Sequence, residues 1–184
     1  MSVPAGFSMT DVVVLVGNPA PGSRTCTVAK VVAEGLAPDA PGAVTVVELA
    51  EHGAALLASE DEAVFRAQQV VAGARLLVVA SPVYKASFTG VLKLFLEGLE
   101  PTALESTVVV PVVVSASSAH GALADLQLRI VLQAVGGLLP VPSFLLEEHH
   151  FDHLPQYVGA WRQRFGPVVG AVLDGLRPEE ATAR

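Results

Sequence analysis

The sequence predicts a doubly wound α/β domain, in which helices cover both faces of a parallel β-sheet. Three observations predict it: short apolar runs of strand length, longer segments with helical spacing between them, and Gly or Pro at most junctions. Runs that are apolar throughout are typical of strands buried on both faces. The 184 residues fit one domain, 1–184, in which we expect 1–10 and 178–184 to be loosely attached.

Five apolar runs predict the strands. They cover residues 11–16, 44–49, 76–80, 107–114 and 138–146. The first run, DVVVLV, stops at Gly17, as expected of a buried strand that enters a loop. The fourth contains the longest apolar stretch of the chain, which is far shorter than the roughly 20 residues that a membrane-spanning helix needs.

Apolar residues at helical spacing predict five helices between and after these strands. They cover residues 25–35, 60–72, 90–99, 119–135 and 155–176. In the first helix, Val28, Val31 and Val32 share one side, and Gly35 follows as a stop. Gly73 ends the second helix in the same way. The alternation of strand and helix predicts right-handed crossover connections.

The composition excludes several classes of protein. The chain is 52% hydrophobic and 16% charged, which excludes a disordered chain, and its one cysteine excludes a disulfide scaffold and a cysteine-based zinc site. With 18 acidic and 11 basic residues, the net charge is −7, which argues against binding to nucleic acid or anionic membranes. The N-terminus does not resemble a secretory signal, so we expect a soluble, cytoplasmic protein.

In an open α/β sheet, ligands bind outside the carboxyl ends of the strands. The first loop at that edge, GNPAPGSR, leads into the helix that begins near Thr25. Ser23 and Thr25 supply hydroxyls, Arg24 supplies a fixed positive charge, and the helix N-terminus favours anions. These are the components of a single-phosphate site, since the Lys of a triphosphatase loop and the GxGxxG fingerprint are both absent. The alternative is an ordinary capped helix.

Two further loops at this edge carry distinctive residues. In SPVYKASFTG, residues 81–90, Pro82 stiffens the backbone, and Tyr84 and Phe88 offer faces to a planar ring, unless both pack on the core. In SASSAH, residues 115–120, a serine caps the next helix or binds the polar edge of a ring. His120 follows in the first helical turn, where the helix dipole favours its neutral form.

Other residues with reactive or metal-binding side chains are weaker candidates. Cys26 lies in a first helical turn but has no partner for catalysis in the sequence, so we interpret it as a packing residue. Residues 147–153, EEHHFDH, include metal-ligand types without a recognised spacing, and we expect no catalytic metal. Glu48 ends the second strand where dinucleotide folds hold a ribose, yet the glycine fingerprint is missing.

Taken together, these loops resemble those of the NADPH-dependent FMN reductase family, which has the flavodoxin-like fold with sheet order 2-1-3-4-5. The resemblance is closest to the flavin reductases of two-component alkanesulfonate-type monooxygenases, and its most specific segment is SPVYKASFTGVLKLFLEGL, residues 81–99. It implies an NAD(P)H:FMN oxidoreductase that uses FMN and NADPH or NADH. The reduced flavin would pass to a partner such as a monooxygenase.

The resemblance also implies which residues bind the cofactor. They are Ser23, Arg24 and Thr25 at the phosphate, Pro82, Val83, Tyr84 and Lys85 beside the flavin, and Ser117 and His120 in the third loop. No catalytic side chain is expected, because hydride transfer is carried out by flavin and nicotinamide. Asn18 and Ala20 replace a Ser and an Arg that are frequent in the family, so phosphate binding depends more on Arg24 and FMN is expected to bind loosely. A quinone or azo-compound reductase and a flavodoxin-like electron carrier remain alternatives.

The surplus of apolar residues predicts a homodimer or homotetramer. In the helix predicted over 90–99, only Lys93 and Glu97 are suited to solvent, and their i,i+4 spacing allows an ion pair. Apolar residues surround most of that helix and of the helix over 119–135. We expect another subunit to cover the apolar surface of these helices that one sheet cannot cover.

Overall fold

A five-stranded parallel sheet forms the centre of the computed structural model, which describes residues 12–37, 44–58 and 61–176. The strands are β1 Val12–Val16, β2 Val44–Glu48, β3 Leu76–Pro82, β4 Val108–Ser115 and β5 Phe144–Glu147. Their order is β2-β1-β3-β4-β5, and every neighbouring pair is parallel. The predicted fold class and strand order are confirmed.

Five α-helices cover both faces of the sheet. They are α1 Arg24–Leu36, α2 Glu62–Ala72, α3 Gly90–Glu97, α4 Ser118–Ala134 and α5 Leu154–Gly175. Helices α2, α3 and α4 pack on one face, and α1 and α5 pack on the other. Short 3-10 helices cover Leu49–Glu51, Gly53–Leu57 and Glu148–His153. In these described stretches, we find no helix with the length and apolar character needed to cross a bilayer.

The strands are apolar throughout because both of their faces are covered. In β1, Val13 and Leu15 belong to the core under α2, α3 and α4, while Val12, Val14 and Val16 belong to the core under α1 and α5. All residues of β3 and β4 are likewise buried. Complete burial of the central strands is therefore what removes the polar alternation from the sequence.

The strand predicted over 138–146 is wrong over most of its length, since β5 begins only at Phe144 and Leu138 before it forms an isolated parallel bridge with Val108. Pro140 and Pro142 have no N–H to donate to a strand ladder. The Arg129 guanidinium of α4 instead donates to the carbonyl of Val141 at 3.0 Å. Residues 139–143 therefore pack against α4 between the bridge at Leu138 and the start of β5.

Smaller differences from the predicted bounds have local causes. The helix predicted from residue 60 begins at Glu62, because the Asp61 carboxylate accepts hydrogen bonds from the N–H groups of Ala63 and Val64 as an N-cap. β3 continues to Pro82, two residues beyond its predicted end. The segments 1–10 and 178–184, expected to be loose, lie outside the described residues.

Helix α3 is covered by its own chain. Leu92, Phe95, Leu96 and Leu99 are all buried within this one chain. The expectation that these residues need another subunit is therefore wrong. The predicted ion pair between Lys93 and Glu97 is present on the exposed side of the helix.

Candidate functional site

Three loops meet at the carboxyl edge of the sheet, where α1, α3 and α4 begin. Because the strands are parallel, the segments that follow β1, β3 and β4 emerge side by side. Two of these loops are joined directly: the Thr89 hydroxyl donates to the carbonyl of Gly17, and Gly17 donates to the carbonyl of Ala80 at 2.7 Å. The edge therefore presents three adjacent helix N-termini, whose partial positive charges favour an anion.

The first loop, residues 17–23, is held mainly by side chains. Asn18 is buried and donates to the Thr25 hydroxyl at 3.2 Å, while its side-chain oxygen accepts from the N–H of Ala20 at 2.9 Å. Gly22 has a φ of +61°, a conformation that favours glycine. The N–H of Gly22 donates to the Glu48 carboxylate at 2.9 Å. The loop thus has a fixed curve in front of α1.

The predicted phosphate residues occupy different environments in this loop. Ser23 is the N-cap of α1 and accepts from the N–H of Cys26 at 3.3 Å. Thr25 is buried, so its hydroxyl supports Asn18 within the loop. Arg24 is exposed, and its guanidinium carbon lies 5.4 Å from the centre of the Phe151 ring. Of the predicted trio, Arg24 has the side chain best placed to reach an anion from solvent.

Beneath the loop, Cys26 is the packing residue that the sequence suggested. It is 2% exposed, and its thiol donates to the Glu48 carboxylate at 3.3 Å. Burial raises the pKa of the Cys26 thiol, the hydrogen bond and negative charge of Glu48 raise it further, and Lys30 partly offsets these effects. The thiol is therefore kept protonated, which disfavours a nucleophilic role.

The second loop forms a tight hairpin, Tyr84 to Ser87. These two residues exchange backbone hydrogen bonds of 2.9 and 3.1 Å. Lys85 and Ala86 between them have φ values of 53° and 61°, the left-handed conformation that both central residues of a type I′ turn require. The Gln127 side chain of α4 supports the hairpin by hydrogen bonds to the Ser87 hydroxyl and the Ala86 carbonyl.

Side chains around this hairpin differ in exposure. Tyr84 is 51% exposed and Lys85 is also exposed, whereas Pro82 is buried at the end of β3 and Val83 is half-buried. The Val83 N–H donates to the carbonyl of Val114 in β4 at 2.9 Å. The hairpin therefore presents one aromatic ring and one cation to solvent on a strained, well-supported backbone.

The third loop joins β4 to α4 over two residues. Ser117 is the N-cap of α4, and its hydroxyl accepts from the N–H of His120 at 3.5 Å. The buried Ser115 hydroxyl donates to the Ser117 carbonyl at 2.9 Å and lies where a Cβ on Gly121 would approach to 2.8 Å. Glycine at 121 thus allows the helix to approach the strand end. His120, the residue before it, is exposed.

All nine predicted residues lie at this edge of the sheet: Pro82 is the last residue of β3, and the others lie in the three loops or the first turns of their helices. The exposed side chains among them are Arg24, Tyr84, Lys85 and His120. Sequence reasoning undervalued Glu48, which lies at the same edge because it pairs with Val16, the last residue of β1. The contact of Glu48 with the first loop depends on the register of β2 against β1, which the sequence alone does not show.

No metal centre accompanies these loops in the stretches that the structure describes. Residues 147–153 form the end of β5 and a 3-10 helix. The ring centroids of His149 and His150 lie 3.8 Å apart and those of His150 and Tyr157 lie 4.7 Å apart, with the rings of both pairs tilted. A surface groove of about 680 Å³ lies elsewhere, between α2 and α3, and Leu57, Phe65 and Leu94 line part of it. The chemistry of the loops, rather than the depth of a groove, therefore identifies the candidate site.

The loop chemistry suits a phosphorylated aromatic ligand. Helix N-termini and Arg24 favour a phosphate, and the hairpin offers a ring face and a cation beside it. The sheet order β2-β1-β3-β4-β5, with helices on both faces, is that of a flavodoxin-like domain. A family model described as NADPH-dependent FMN reductase matches residues 10–152, and the chain belongs to this family. The predicted family is thus confirmed, and the predicted enzyme class and cofactors, FMN with NADPH or NADH, are those of the family.

Curated relatives and solved structures agree with this assignment. An FMN reductase (NADPH) from Pseudomonas putida strain KT2440 is 46% identical over 68 residues, which cover 37% of this chain and only 34% of that relative. The NADH-dependent FMN reductase SfnE from Pseudomonas putida is 33% identical over 78% of this chain and 80% of its own length. The apo crystal structure of the NADH:FMN oxidoreductase EMOB is 26% identical, with a TM-score of 0.72, over 95% of this chain and 93% of that one.

Proposed function

We propose that this protein catalyses the reduction of FMN by NADPH or NADH. The observation that supports the proposal most strongly is the meeting of three helix N-termini, Arg24 and the Tyr84 hairpin at one sheet edge of a chain from this family. The reaction is NAD(P)H + FMN + H⁺ → NAD(P)⁺ + FMNH₂, with a hydride passing to the flavin and a proton taken from solvent. The cofactors supply this chemistry, so the protein needs no general acid or base.

The role of the chain is to bind and orient the flavin. Ser23, Arg24 and Thr25 would hold its phosphate, through the guanidinium and the N-terminus of α1. The ring would lie against Pro82, Val83, Tyr84 and Lys85, with Ser117 and His120 at its polar edge. This arrangement would leave one face of the flavin ring open to the nicotinamide, which must approach to about 3 to 3.5 Å for hydride transfer.

Anaerobic turnover tests the proposal. Catalytic amounts of the protein should bleach the visible absorbance of an excess of FMN when NADPH or NADH is present, and air should restore it. Comparing the two nucleotides establishes which donor is preferred. Absence of turnover with both donors, by protein that is folded by circular dichroism, would refute the function.

We also propose that the product is released to a second protein, such as a flavin-dependent monooxygenase, in the cytoplasm where NAD(P)H is available. Tyr84 and Lys85, which are predicted to lie beside the flavin ring, are both exposed. Their exposure supports an open site from which flavin can leave. If flavin is a substrate, dialysis of the loaded protein should remove FMN completely. Retention of FMN at one equivalent would favour the quinone or azo-compound reductase alternative.

A second copy of this chain is the proposed partner of α4. Leu123, Leu126 and Ile130 form a stripe on α4 with 49%, 60% and 59% exposure. No exposed residue of this helix is Asp, Glu, Lys or Arg. Asp125 and Arg129 are half-buried, and both bind Ser143. An apolar face without charges is self-complementary, as a two-fold symmetric dimer requires.

Sedimentation velocity tests this interface and distinguishes a dimer from a tetramer. Leu126→Glu should convert the wild-type oligomer to a monomer, because it buries a charge at the centre of the stripe. Phe65→Glu, an equally exposed apolar position on α2, is the matched control and should leave the assembly unchanged. A wild-type monomer at micromolar concentration would contradict the interface.

A further inference from the structure

Glu48 connects the end of β2 to the first loop. Its half-buried carboxylate accepts one hydrogen bond from the N–H of Gly22 at 2.9 Å and another from the thiol of Cys26 at 3.3 Å. These two donors lie on either side of the α1 N-cap, so one carboxylate fixes both the bend of the loop and the first helical turn. Within the described ranges Glu48 forms no ion pair, and the cation that acts on the same Cys26 thiol is Lys30.

The charge of this carboxylate opposes the other electrostatic features of the loop. The N-terminus of α1 and the Arg24 guanidinium favour an anion. Glu48 places a negative charge against the same loop, and it occupies the Gly22 N–H, which would otherwise be available to a phosphate. A flavin phosphate carries between one and two negative charges at neutral pH, so it is repelled by this carboxylate, whereas riboflavin, with the same ring and no phosphate, is not.

We propose that Glu48 is a positioning and specificity-determining residue: it shapes the first loop and limits the affinity of that loop for the phosphate of FMN. This inference rests on the proposed function, because it requires flavin phosphate to bind at the first loop. A limited affinity favours release of reduced FMN, which a protein that supplies flavin to a partner needs.

The Glu48→Gln variant separates the two roles of this side chain. Glutamine keeps an oxygen that can accept from the Gly22 N–H, but it removes the negative charge. We expect the Kd of FMN to fall by about three- to tenfold and the Kd of riboflavin to stay unchanged. The gain for FMN should shrink as salt is added, because salt screens the charge that has been removed. Flavin fluorescence gives both constants.

Two further variants serve as controls. Glu34→Gln removes the same charge from an exposed position in the last turns of α1, away from the loop, and should leave both Kd values unchanged. Glu48→Ala removes the charge together with both hydrogen bonds, and we expect it to weaken the binding of both flavins. If Glu48→Ala tightens FMN binding as Glu48→Gln does, the positioning role is overturned.

The remaining outcomes distinguish this inference from the proposed function. If wild-type protein binds flavins but Glu48→Gln binds FMN no more tightly, the role of Glu48 in phosphate affinity is overturned and the proposed function stands. If wild-type protein binds neither FMN nor riboflavin, the proposed function itself fails. Thermal unfolding of each variant establishes that the comparison is made between folded proteins.

Discussion

The first loop and the Tyr84–Ser87 hairpin lie side by side, yet they are held in different ways. Side chains hold the first loop: Asn18, Ser23 and Glu48 accept hydrogen bonds from its backbone or that of the first turn of α1. Backbone bonds and two left-handed residues hold the hairpin, with support from α4. We therefore expect the first loop to recognise its ligand mainly by charge and the hairpin to recognise its ligand mainly by shape. Changes of charge alone at the first loop should therefore separate FMN from riboflavin, while changes that displace the backbone of either region should affect both.

The largest effect is expected where the two regions join. A Cβ on Gly17 would lie 2.6 Å from the Cβ of Leu92, so Gly17→Ala must displace the first loop or α3. We expect the free energy of unfolding to fall by about 1–3 kcal/mol, measured by urea denaturation, with weaker binding of both flavins. Gly90→Ala is the control, since an added Cβ there meets nothing within 4 Å, and it should be neutral or stabilising. Equal stability of both variants would show that the contact is unimportant.

At the first loop, Arg24→Ala should raise the Kd of FMN by about tenfold, because it removes a charge-assisted contact with the phosphate. The Kd of riboflavin should not change. Arg24→Lys keeps the positive charge and should recover part of the affinity for FMN. An equal loss of affinity for FMN and riboflavin would place the phosphate elsewhere.

At the hairpin, Ala86→Val should weaken the binding of FMN and of riboflavin by the same factor. A β-branched residue at the φ of +61° found for Ala86 costs about 1–2 kcal/mol in this conformation, which should loosen the turn that carries Tyr84. Ala86→Gly relieves the same strain and should retain binding. Isothermal titration with FMN and riboflavin measures both constants, and a loss confined to FMN would contradict the division between charge and shape.

The smallest expected effect is on the Cys26 thiol. Since burial and the Glu48 carboxylate raise its pKa, Glu48→Gln should lower that pKa, although burial will keep it above the ordinary value. The ultraviolet absorbance of the thiolate measures the titration, and the chain has no other cysteine. Because the folded thiol releases its proton at a higher pH than the unfolded one, the free energy of unfolding should fall as pH rises through this range, less steeply in Glu48→Gln. An identical titration in both proteins would contradict the contact.

The sequence predicts the sheet well because its strands are uniformly apolar, and the rule for open sheets then places the three loops at one edge. It does not predict contacts that depend on register, such as Glu48 with Gly22, which are 26 residues apart. The left-handed turn is also hidden, because Lys85 and Ala86 are neither Gly nor Asn.

The two apolar helices show a further limit of sequence reasoning. The sequences of α3 and α4 both predict an outside partner, because each helix is apolar around most of its surface. The chain itself buries Leu92 and Phe95 of α3, while Leu126 and Ile130 of α4 stay exposed. Burial of an apolar helix face depends on which segments of the same chain pack against it. Helical periodicity does not show which segments those are.

Equilibrium binding of FMN and riboflavin to the wild-type protein tests most directly whether the two regions bind the two ends of one flavin. Both ligands share the ring that the hairpin would hold, and only FMN offers a phosphate to the first loop. We predict that both bind and that FMN binds about tenfold more tightly, with the difference lost in Arg24→Ala. Equal affinities for the two ligands, or no binding of either, would contradict the assignment.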